Sequence, residues 1–156
     1  MVKEITKIKQ YNSVLDTNIR RLGGYYLSLL FYINYFTRKI DFTAEDINKY
    51  YFLFIKKGYL DKSSLPKSPC LILEYFGFIR PKCRYERVLN PIGNNEFSIY
   101  EVYINSLDTV HHIAKYKKKI LYDSRDMASL GIKSRNISKR VFSYLSINTQ
   151  YAFKLP

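Results

Sequence analysis

The chain contains no tryptophan, only two cysteines, and half as many acidic residues as basic ones, 13 Asp and Glu against 26 Lys and Arg. Each shortage excludes something. Cys70 and Cys83 form no CxxC pair, and only His111 and His112 could join them at a metal, so a structural zinc site is not expected. No motif calls for a cofactor either. The charged stretch Met1 to Gln10 lacks an apolar leader core, so the thiols are expected to be reduced, in a cytoplasm. The longest uncharged run, Leu22 to Thr37, is too short to span a bilayer and includes Ser28, Asn34 and four tyrosines. It reads as a buried helix, and no membrane role is expected.

What is present is aromatic and basic. Tyr (16) and Phe (10) supply the whole 17% aromatic content, and 47% hydrophobic residues exclude a disordered chain. At 156 residues, one domain can bury a substantial core. The net charge of +13 is uneven: from Ile113 onward there are ten basic residues against Asp123 and Asp126. Such a surface attracts polyanions. The candidates for weak, non-specific nucleic-acid contact are the Lys117-Lys118-Lys119 loop and the region of Arg135, Lys139 and Arg140. An AT-rich genome would also raise the Lys count, and no nucleic-acid-binding signature accompanies the charge.

No repeat or linker interrupts the chain. The first half reads helical: a weak amphipathic pattern over residues 3 to 15, then an apolar helix from about Tyr25 to Arg38 opened by Gly23-Gly24. Thr43 caps a helix from Ala44 to Lys57 that stops at Gly58, and Pro69 opens a helix from Cys70 to Phe76. The second half reads as strands over Arg84–Leu89, Phe97–Asn105, Thr109–Tyr116, Ile120–Asp123 and Ile137–Ile147, separated by turn residues such as 90–94. Helices followed by antiparallel strands imply a single α+β domain.

Three stretches carry a resemblance. Ile19-Arg20-Arg21-Leu22-Gly23-Gly24-Tyr25-Tyr26-Leu27 resembles the start of the central helix of papain-like cysteine peptidases, nearest to their bacteriocin-processing branch. Phe42 to Leu60 resembles the helix that follows in small phage and plasmid members. Thr109-Val110-His111-His112-Ile113-Ala114 and Ile120-Leu121-Tyr122-Asp123-Ser124 resemble the His strand and the partner strand ending in Asp. The likeness spans roughly residues 15 to 125 and is greatest to an uncharacterised group of spirochaete plasmid proteins. It implies a papain-like α+β fold and a site in which Asp orients His.

Hairpin arithmetic places the same groups together. A four-residue loop, Tyr116 to Lys119, would pair Lys115 with Ile120, Ala114 with Leu121, Ile113 with Tyr122 and His112 with Asp123. Opposed residues share a face. This register favours His112 as the partner of Asp123; a slip of one residue would substitute His111.

The resemblance implies a nucleophilic cysteine at the helix N-terminus, and this chain has Gly24 there. The polar oxyanion donor it implies upstream falls on Asn18, or less well on Arg21. Without a thiol, His and Asp have nothing to activate. Cys70 follows Pro69 at a helix start but opens an apolar helix, where cysteine is commonly a buried hydrophobe. Three readings follow: an inactive papain-like domain binding a peptide or protein, a basic nucleic-acid-binding module, and a cysteine hydrolase using Cys70.

Overall fold

A computed structural model describes residues 3–148 and 150. Five helices come first: α1 (Glu4–Lys7), α2 (Thr17–Leu22), α3 (Gly24–Thr37), α4 (Ala44–Lys57) and α5 (Pro69–Tyr75). Seven strands follow: β1 (Phe78–Ile79), β2 (Lys82–Glu86), β3 (Phe97–Ile104), β4 (Thr109–Tyr116), β5 (Lys119–Tyr122), β6 (Arg135–Ser143) and β7 (Ser146–Ile147). The antiparallel pairs assemble a five-stranded sheet in the order β2-β6-β3-β4-β5, and β1 pairs with β7. The architecture is α+β. Among the described residues no helix is long and apolar enough to cross a membrane.

Helix α3 is apolar nearly all round and forms the centre of the core, with Tyr26, Leu27, Leu30, Tyr32 and Ile33 fully enclosed. A buried tyrosine hydroxyl needs a partner. Tyr26 donates to the Ile47 carbonyl at 2.8 Å and Tyr32 to the Ser98 carbonyl at 2.7 Å, so the same rings that fill the core also fix α3 against α4 and β3. Helix α4 starts at the capping box of Thr43 and Asp46 and ends where Gly58 takes a φ of 78°.

The amphipathic pattern over residues 3 to 15 gives only the four-residue α1. Asp41 caps it from across the chain, accepting from the backbone N–H groups of Glu4 and Ile5. Residues 8 to 10 then run beside β5: Tyr122 donates to the Ile8 carbonyl at 2.7 Å, and Gln10 donates its backbone N–H to Ser124 at 2.8 Å. The pattern did not disclose α2, whose N-cap is Asp16.

The β4–β5 hairpin departs from the simple register. Tyr116 pairs with Lys119, so the loop is two residues, 117 and 118, with Lys117 at a φ of 55°. Lys115 faces Ile120 as expected, but Ala114 then faces Tyr122. Leu121 is the extra residue of a β-bulge, and the bulge changes which histidine reaches Asp123.

Candidate functional site

Helices α2 and α3 meet at Gly23-Gly24, and neither residue can be larger where it stands. A Cβ on Gly23 would lie 2.5 Å from the Ile19 carbonyl oxygen. A Cβ on Gly24 would lie 2.6 Å from His111 Nδ1, 2.7 Å from His111 Cε1 and 3.0 Å from the His112 carbonyl oxygen. The pairing of β5 with β4 reaches only to Ala114, and α3 lies along β4 beyond that point. There the Ser28 hydroxyl donates to the His112 carbonyl at 3.4 Å.

His111, not His112, is the partner of Asp123. Its Nε2 lies 2.8 Å from Asp123 Oδ1, and the same carboxylate accepts from the backbone N–H groups of Arg125 and Met127, each at 3.0 Å. The register that favoured His112 is therefore corrected, because the bulge at Leu121 shifts Asp123 along β4. Burial works to raise the Asp123 pKa, but the bonds from His111, Met127 and Arg125 outweigh it and hold the carboxyl below its usual range. Burial pushes the His111 pKa down, against the opposing pull of Asp123. At neutral pH the pair is thus an ionised carboxylate beside a neutral imidazole. The carboxylate can only accept, so Nε2 carries the proton and Nδ1, on the Gly24 side, is bare.

This geometry orients a base toward a helix N-terminus, but the residue there is glycine. The imidazole occupies the space a side chain would need, and His111 is only 3% exposed. The dyad is closed on itself.

His112 belongs to a different cluster. Its ring centroid is 5.0 Å from that of Tyr25, and its Nε2 is 3.5 Å from Glu101 Oε2 and lacks a hydrogen-bond partner among the described residues. Burial, then the positive charge of Arg140, lowers its pKa to about 3. Arg140 donates to Glu101 at 3.0 Å and to the Tyr85 hydroxyl at 2.7 Å, and its guanidinium lies over the Tyr85 ring.

The other candidates separate. Asn18 donates its side-chain amide to the Tyr51 hydroxyl at 3.3 Å, which ties α2 to α4. Cys70 and Cys83 are free and line one groove, and among the described residues neither histidine hydrogen-bonds to Cys70. Burial pushes both thiol pKa values up, Cys83 to about 11. These thiols are poorly suited to act as nucleophiles.

The basic residues do not form one surface. Lys139 is buried with its ammonium on the Val88 and Asn90 carbonyls, and Arg140 is buried on Glu101. Lys117, Lys118 and Lys119 are exposed at the β4–β5 turn, while Arg135 pairs with Tyr103 near the other end of β3. Half of the expected polyanion surface is thus inside the fold or remote from the lysine loop.

Among the described residues strand β2 is an edge, paired only with β6, and two grooves flank it. One of about 460 Å3 lies between residues 65–71 and β2 and is lined by Tyr25, Cys70, Cys83 and Tyr85. The other, of about 720 Å3, continues from Tyr85 along residues 86–90. Leu65, Leu71, Tyr85, Leu89 and Ile137 stand exposed along this track. A third concavity of about 510 Å3 is walled by Tyr32, Tyr35, Phe36 and Tyr144. Nothing in the sequence patterning singled out these concavities, because their walls come from separate segments.

A family model described as "Protein of unknown function, DUF261" matches residues 3–144. The chain belongs to that family. The match covers the capped N-terminal segment, the glycine–histidine–aspartate contact and the edge strand together. No curated protein and no solved structure matches the chain.

Proposed function

We propose that this chain is a catalytically inactive, papain-like domain of the cytoplasm that binds an extended, acidic segment of a partner protein along β2. What supports papain-like descent is the order of parts: a central helix opening at Gly24, His111 on the next long strand but one, and Asp123 at the end of its hairpin partner. What supports inactivity is Gly24, which offers no nucleophile and whose space is taken by His111.

The observation that carries the binding reading is the unpaired edge of β2 between two grooves that share Tyr85. An edge strand presents free backbone donors and acceptors to which an extended peptide can add, and flanking pockets receive alternate side chains. Exposed apolar residues in one track mark an interaction surface. Charge selects the occupant. From Arg80 to Arg87 there are four basic residues and one acidic one, Glu86, and Lys67 faces the same groove. An acidic strand complements that field.

The test is a titration of isotope-labelled protein with two blocked decapeptides, one alternating Glu and Val, the other Lys and Val. The Glu peptide should shift the amides of residues 82–87 and Tyr85→Ala should weaken it, while the Lys peptide leaves them unmoved. Equal responses to both peptides, or shifts that map away from β2, would refute the reading.

A further inference from the structure

A fourth concavity of about 400 Å3 lies where α2, the N-terminal segment and the stretch after β5 come together. Arg20, Arg21 and Arg125 all line it, and among the described residues no Asp or Glu does. Among the described residues none of these three guanidinium groups has an ion-pair partner. Arg20 and Arg21 stand exposed on α2, and Arg125 lies half-buried opposite them, so three guanidinium charges without a carboxylate partner converge on one pocket.

The pocket is built as well as charged. Arg125 donates through Nη2 to the Arg21 carbonyl at 3.1 Å, and its Nε is buried with no partner among the described residues. Its backbone N–H is held by Asp123, so the residue is fixed at its main chain as well as at its guanidinium. Gln10, itself 3% exposed, donates its amide to the carbonyls of Ile19 and Arg20. Those oxygens end α2, where an uncovered helix terminus would repel an anion. The floor is thereby relieved of negative charge. At the rim Tyr11 is 67% exposed and stacks on no other ring among the described residues.

We propose that this pocket binds the phosphate of a nucleotide, free or at a position in a single strand, with the base on Tyr11. Planar guanidinium forks match phosphate oxygens, and an exposed tyrosine face accepts any base. The site shares no residue with the β2 grooves, so it stands or falls apart from the peptide reading.

The experiment is a binding titration of the full chain at physiological salt with inorganic phosphate, thymidine monophosphate and a 5′-labelled oligothymidylate. Both thymine-bearing ligands should bind more tightly than inorganic phosphate, because only they engage Tyr11. Arg20→Ala with Arg21→Ala should weaken the oligonucleotide at least about tenfold and reduce its salt slope by about 1.4, at ~0.7 per lost single-strand contact. Tyr11→Ala should cost the oligonucleotide about tenfold and leave inorganic phosphate unchanged. Lys117→Ala, Lys118→Ala and Lys119→Ala together, which remove more charge elsewhere, should cost less than about threefold. A free nucleotide as the ligand would show thymidine monophosphate matching the oligonucleotide; a strand would show it clearly weaker. An equal loss from the lysine triple variant would reveal diffuse charge attraction and overturn the proposal. So would inorganic phosphate binding as tightly as the oligonucleotide, or no binding of any ligand at millimolar concentration. Far-ultraviolet circular dichroism of each variant separates lost binding from lost fold.

Discussion

Replacing Gly24 with alanine should destabilise the protein, contrary to the usual result of putting alanine for glycine in a helix. Helix propensity alone favours alanine by up to about 1 kcal/mol, and by less in a first turn. Against that, the new Cβ would fall 2.6 Å from His111 Nδ1 and 3.0 Å from the His112 carbonyl oxygen. The ring is not the loose end of a flexible side chain. It is buried and bonded at Nε2 to Asp123, and the carbonyl belongs to β4. Overpacking a filled site costs about 1–3 kcal/mol, and turning the ring away adds about 1.5–3 kcal/mol for a hydrogen bond to a charged group. A net loss of about 2 kcal/mol follows, which lowers the Tm of a chain this size by roughly 4–8 °C. Thermal and urea denaturation of Gly24→Ala, His111→Ala and the double variant would measure the coupling. With the ring removed, Gly24→Ala should be neutral or stabilising, leaving at least about 1 kcal/mol of interaction energy between the two sites. A Gly24→Ala protein with a raised Tm in the otherwise native chain would refute the packing argument.

Acid should unfold the chain early. Both histidines have depressed pKa values, so below about pH 6.5 the unfolded chain takes up protons that the folded one refuses. Their stabilisation is complete above that pH and is lost as pH falls, at roughly 1.4 kcal/mol per pH unit from His112, with His111 adding in the same direction; Asp123, also depressed, adds to the loss below about pH 4. Urea midpoints between pH 7 and 5 should fall, His112→Gln should make the slope shallower, and a flat profile would contradict the buried neutral pair. Lys139→Met should leave the Val88 and Asn90 carbonyls without their ammonium donor and speed amide exchange across residues 87–95; unchanged exchange there would mean the contact holds nothing. Alkylation of Cys83 by iodoacetamide should be slow at pH 7.5 and still climbing at pH 10, given a thiol pushed to about 11, whereas an inflection near pH 7 would contradict the effect of burial on that thiol. Purified protein should show no turnover of peptide or ester substrates, and His111→Ala should alter stability alone; any hydrolysis lost in that variant would reverse the inactive reading.

The helical half was legible because its signals are local. Thr43 with Asp46, Gly58, and an apolar run without charge from Leu22 to Thr37 define two helices without reference to anything distant. The long strands were legible for the same reason, through their Val, Ile, Tyr and Phe content. The sequence also presented Gly24, a histidine pair and Asp123 as candidates for one place, and the fold brings Gly24, His111 and Asp123 together there while the His112 side chain joins another cluster. Which histidine serves was not local. It depends on one inserted residue, Leu121, and a bulge is decided by how β5 meets both β4 and the N-terminal segment. Charge shows the same division. Counting lysines and arginines gives a basic chain, but only packing puts Lys139 and Arg140 inside and leaves Arg20, Arg21 and Arg125 around one open pocket. The cap that Asp41 provides to α1 was missed on similar grounds, since it lies far along the chain, whereas α2 was missed despite its local cap at Asp16. Backbone propensity is written residue by residue. The register of a hairpin, the space beside a glycine and the partner of a charge are set by segments that meet only when the chain has folded.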